Sequence, residues 1–151
     1  YLLAAVASFV GVGGFALLFN SSRRMVLFAA SIGVVANMVR LVMIDAGGQP
    51  QYAAYTGGVV VGLLGAVITA RTTLPRITMT VPASVIMIPG TAMYRAVHFL
   101  NSGDIDQALS NAATAGLIIV WISAGLVTAR ILTDRDWAFG KPIDFQKHTA
   151  D

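Results

Sequence analysis

Residues 77–100 read ITMTVPASVIMIPGTAMYRAVHFL, and this stretch decides the fold. It is long enough to cross a bilayer, yet it carries Pro82, Pro89 and Gly90 in its interior. Proline removes a backbone donor and clashes with the preceding turn, so the helix must break. In a membrane, the polar groups freed at such a break need partners in protein, water or solute. Broken spans of this kind are where transporters hold their substrates.

The rest of the chain places that stretch in lipid. Of 151 residues, 56% are hydrophobic and 11% charged, with a mean hydropathy of +0.75, which is far beyond a soluble domain of this size. Four further apolar runs, residues 1–19, 25–44, 52–70 and 108–131, approach or exceed the ~20 residues that cover a hydrocarbon core. The expected fold is an all-α integral membrane protein of five transmembrane helices within residues 1–132, the fourth broken at Pro89-Gly90, with a tail at 133–151. The opening run lacks a basic leader region and is followed by two arginines, so it is expected to be a membrane helix.

Loop charges give an orientation. Arg23 and Arg24 lie in the first connection, Arg71 and Arg76 in the third, and Arg130, Arg135, Lys141 and Lys147 at or beyond the end of the fifth run. The second and fourth connections carry Asp45, Asp104 and Asp106 and no basic residue. The positive-inside rule then puts the N-terminus outside and the C-terminal tail in the cytoplasm, with Trp137 at the interface. The net charge of +3 is spread over these loops, so it marks topology and not nucleic-acid binding.

Polar residues within the runs are candidate site residues. Asn37 and Arg40 share one face of the second helix, one turn after Gly33. In the broken span Thr91, Tyr94, Arg95 and His98 form a stripe that begins just after Pro89-Gly90. Two readings of Arg40 and Arg95 stand: snorkelling to the outer headgroups, or lining a cavity that receives a carboxylate, for which the guanidinium fork is the best side-chain match. His98 reads as a proton relay or as an interfacial residue. Asn111 and Thr114 read as groups that hydrogen-bond between helices, ahead of the alternative that they contact a ligand. Gly58 and Gly62 make a small-xxx-small stripe for close backbone approach, and Asp104 or Asp106 can cap the last helix.

Absences narrow the chemistry. There is no cysteine and no glutamate, and every aspartate falls in a connection or the tail, so the usual membrane-embedded carboxylate for ion coupling is missing. No Walker A, HExxH or GxSxG pattern occurs, so neither an enzyme nor a cofactor or metal site is expected.

The stretch VPASVIMIPGTAMYR resembles the proline, proline-glycine, tyrosine pattern in the C-terminal membrane half of the threonine/serine exporter family. The runs GFALLFN, ending at Asn20, and NMVRLV, around Arg40, are similar to that family's first two helices. The closest resemblance is to its small five-helix subunit, which works with a separate larger subunit. It implies a part in the export of threonine and serine, or of succinate-like dicarboxylates, at the cell inner membrane, with the family's pattern falling on Pro82, Pro89, Gly90, Tyr94, Asn20 and Arg40. An odd helix count with the N-terminus outside fits one half of an inverted five-plus-five pair, and the glycine stripe of the third helix is the expected partner surface. The alternative is a membrane scaffold that stabilises a partner transporter without binding substrate.

Overall fold

The computed structural model describes residues 1–134; Trp137 and the expected tail from residue 135 on lie outside the described residues. Six helices follow in order: α1 Leu2–Leu18, α2 Arg23–Asp45, α3 Pro50–Arg71, α4 Ile77–Val85, α5 Gly90–Asn101 and α6 Ile105–Thr133. Among the described residues, α2, α3 and α6 are each long and apolar enough to cross a membrane. The bent pair α4 and α5 makes a fourth candidate span, and α1 is a shorter apolar helix of 17 residues.

Local chemistry sets the ends. Ser22 accepts from the Met25 amide at the start of α2, and Pro50 opens α3, where its missing donor costs nothing. The last helix begins at Ile105, earlier than the apolar run at 108, because the Asp104 carboxylate caps the Gln107 amide at 3.1 Å. Gly47 and Gly103 take positive φ in the two acidic turns, and Asn20 does so in the turn after α1.

Packing fixes the direction of every helix. Val12 seats against Gly33 and Ser8 bonds Asn37, so α1 and α2 are antiparallel. Met87 packs on Gly57 and Thr80 on Gly65, so α4 runs against α3. Gly58 faces Ile122 and Gly125 while Gly62 faces Ala129, so α3 and α6 run parallel. The first connection, Arg71, Arg76 and Arg130 therefore gather at one end, where Arg24 and Arg71 line a common hollow. At the other end the Tyr1 hydroxyl donates to Asp45.

The core is made of small and medium side chains, with Val12, Val61, Met79, Ala83 and Met87 fully enclosed. Its tightest contact is the glycine seam of α3 with α6. A side chain on Gly58 would meet the Ile122 carbonyl at 2.5 Å, and one on Gly62 the Ala129 methyl at 2.4 Å. This corrects the expected use of the stripe: α6 of the same chain occupies it, so it is no open surface for a second subunit. A small-xxx-small pattern specifies how close a helix comes, not which helix comes.

Candidate functional site

The break is built by Pro89. Its ring would clash with the carbonyl four residues back, at Val85, and α4 ends at that residue. Two tight turns follow, from the Met87 amide to Ser84 and from the Ile88 amide to Val85, both at 3.1 Å. Helix α5 then leaves at 51° to α4. The break is anchored from below, since Met87 is enclosed and its Sδ lies over Gly57. Gly90 faces open space, so its small size serves no contact within the chain.

Helix α5 starts without a side-chain cap or an acidic residue in its first turn; the Gly90 amide donates to the Ile88 carbonyl at 2.8 Å, and the Thr91 and Ala92 amides are left available to an anion. Thr91, Tyr94, Arg95 and His98 follow along its outward face, all exposed. The Tyr94 and His98 rings stack with centroids 6.1 Å apart at 13°, and Phe99 meets His98 edge-on. No residue of α5 is buried. The helix packs on α6 and makes no extended contact with α1, α2 or α3.

The second polar group is a thread between α1 and α2. Arg40 Nη1 donates to Asn37 Oδ1 at 3.3 Å, Asn37 Nδ2 to Ser8 Oγ at 2.9 Å, and Ser8 Oγ to the Ala4 carbonyl at 2.7 Å. Ser8 and Asn37 are buried, and Arg40 Nε is enclosed without a partner. We expect a Ser8→Ala and Asn37→Ala double-mutant cycle, read by unfolding in mild detergent, to give a coupling of about 0.6 kcal/mol, with ~1.7 as the upper bound for such bonds. A coupling indistinguishable from zero would remove the thread as a structural tie.

These helices, their break and their polar groups are the setting for a comparison with known proteins. The sequence profile of the threonine/serine exporter family, ThrE, matches residues 4–132. The chain belongs to the threonine/serine exporter family. The matched segment runs from the first turn of α1 to the last turn of α6, so it takes in the break, the α5 stripe and the thread together. No solved structure matches the chain.

In this exporter-family chain the candidate residues fall into two groups. Asn37 and Arg40 are joined on α2, while Thr91, Tyr94, Arg95 and His98 share α5, and α2 and α5 do not pack on one another. Asn111 and Thr114 bond the Gln107 and Ser110 carbonyls of their own helix, which corrects the expectation of bonds between helices. A hydroxyl or amide facing a carbonyl one turn back finds that partner first. Among the described residues no three His or Asp side chains come together as a metal site.

Sequence reasoning missed Ser8, whose signal is that it is the one polar side chain in α1. It also missed the inward reach of Arg76, whose Nη2 donates to the Gly62 carbonyl at 2.7 Å.

Proposed function

We propose that this member of the threonine/serine exporter family is one subunit of an inner-membrane exporter of small carboxylate-bearing metabolites, threonine and serine or succinate-like dicarboxylates, and that it works with a second membrane subunit. The observation that carries the reading is the exposed stripe of α5. A guanidinium facing lipid costs about 2.5–3.5 kcal/mol at mid-membrane. Among the described residues, Arg95 and His98 stand on a helix that packs extensively on α6 alone, so a second chain laid against this face would remove the cost and enclose a polar path.

In that path the uncapped amides at Thr91 and Ala92 and the fork of Arg95 hold the substrate carboxylate, beside Gly90. Tyr94 forms one wall, Pro89 keeps the half-helix open, and His98 is the group that can pass a proton. Asn37 and Arg40 line the pathway on the α1–α2 side, where the partner completes it. All five helical segments cross, α1 included, with the basic end in the cytoplasm and the N-terminus outside.

Proteoliposomes holding this chain alone, the second subunit alone, or both, loaded with radiolabelled threonine or succinate, test the reading. Efflux is expected only with both chains present. Equal efflux from this chain alone would remove the partner from the function.

A further inference from the structure

Away from the α5 stripe, at the basic end, a hollow of about 590 Å³ lies between the start of α2 and the end of α3. Arg24, in the first turn of α2, and Arg71, the last residue of α3, both line it. Leu27, Phe28 and Leu74 give it an apolar wall. That wall is preformed, because Phe28 and Leu74 pack against the buried core. Thr72 fixes the turn that carries Leu74: its hydroxyl donates to the Ile68 carbonyl at 2.7 Å and accepts from the Leu74 amide at 3.4 Å.

Two features of the hollow call for the same kind of occupant. The first is uncompensated charge. Arg24 and Arg71 are exposed, and among the described residues neither takes part in a hydrogen bond or an ion pair. The described acidic side chains stand elsewhere. Asp45 ends α2 at the opposite end, Asp104 and Asp106 lie at the start of α6, and Asp134 lines a separate cleft with Arg76 and Arg130. Two unpaired guanidiniums on one hollow concentrate positive potential there, and a phosphate matches the guanidinium fork. The second feature is the apolar wall beside the arginines. A small soluble anion gains nothing from Leu27, Phe28 and Leu74, whereas a phospholipid carries a phosphate and an acyl chain in one molecule. Both α2 and α3 are long and apolar enough to cross a membrane, so their ends lie at headgroup depth. Leu27, exposed and one turn further along α2 than Arg24, stands where the acyl chain begins. Basic pockets between membrane helices are suited to anionic headgroups for this reason.

We propose that this hollow binds an anionic phospholipid, with the headgroup phosphate between Arg24 and Arg71 and the start of an acyl chain against Leu27, Phe28 and Leu74. Bound there, the lipid bridges the first turn of α2 and the last residue of α3. The site is separate from the α5 stripe and is read by lipid retention, so it stands or falls independently of efflux.

The test is native mass spectrometry of the full chain released from nanodiscs of equimolar phosphatidylglycerol and phosphatidylcholine, which share the phosphate and differ in net charge. The wild type should retain phosphatidylglycerol in preference. Retention should fall about fivefold in Arg24→Gln and about fivefold in Arg71→Gln. It should stay unchanged in Arg23→Gln, which removes the same charge from the same turn of α2 but outside the hollow. Radiolabelled inorganic phosphate, added to nanodiscs of phosphatidylcholine alone, should not bind. Equal retention of the two lipids, an equal fall in Arg23→Gln, or binding of inorganic phosphate that Arg24→Gln abolishes would overturn the proposal. Arg24 and Arg71 are exposed and unbonded among the described residues, so both variants are expected to fold as the wild type does.

Discussion

Gly125→Val will fail to form the native bundle, and Gly125→Ala will form it with a loss of at least 1–3 kcal/mol, the usual range for overpacking. A side chain at this position would meet the Tyr55 carbonyl at 2.3 Å, the Val59 amide nitrogen at 2.9 Å and the Gly58 carbonyl carbon at 3.1 Å. All three are backbone atoms, so no rotamer change can make room and α3 must separate from α6. That separation would also pull apart the Tyr55–Thr128 hydrogen bond and the packing of Tyr52 and Tyr55 on Trp121. Thermal unfolding in detergent measures the loss. Gly116→Ala is the matched control, since a methyl there meets nothing within 4 Å and alanine favours a helix. Equal stability of Gly125→Ala and Gly116→Ala would show that the seam does not hold the bundle together.

Replacing Arg95 with glutamine should reduce efflux from the two-subunit complex by on the order of tenfold to a hundredfold, the loss of one or two charge-assisted hydrogen bonds to the substrate carboxylate. Among the described residues no hydrogen bond or ion pair holds Arg95, and it is exposed on α5. The substitution should therefore leave stability within about 0.5 kcal/mol, as for other surface changes. Efflux of radiolabelled threonine and succinate, at matched membrane levels of wild type and variant, separates a lost contact from lost protein. Unchanged efflux would assign Arg95 to the headgroup region and move the carboxylate contact to the other subunit.

The broken span was legible because its cause is local. Pro89 cannot donate and clashes one turn back, so the sequence marks where α4 must stop. The cap at Asp104 was legible for the same reason, since a short acidic side chain three residues before an available amide has one obvious use. What the sequence could not supply was pairing at a distance. Gly58 and Gly62 announce a close neighbour, and only the three-dimensional structure shows that neighbour to be α6. Ser8 is a lone hydroxyl until α2 brings Asn37 beside it. The grouping of candidate residues on α5 followed from helical spacing, whereas their distance from Asn37 and Arg40 depends on α5 leaning away onto α6.

The unequal support of the break determines how load passes through the bundle. On one side, Met79, Ala83 and Met87 wedge α4 among its neighbours; on the other, α5 is a strut braced by a single helix. A push on the outer face of α5 meets no enclosed side chain that could absorb it locally. The push is passed to α6 through their shared packing and the turn at 101–104, and α6 is bound along its length to α3. At the far end of α6, Thr133 is tied through Arg76 to the Gly62 carbonyl. The packed route between the α5 stripe and the basic end of the bundle therefore runs down α6, bypassing the bend, with Arg76 as the rivet that joins its end to α3.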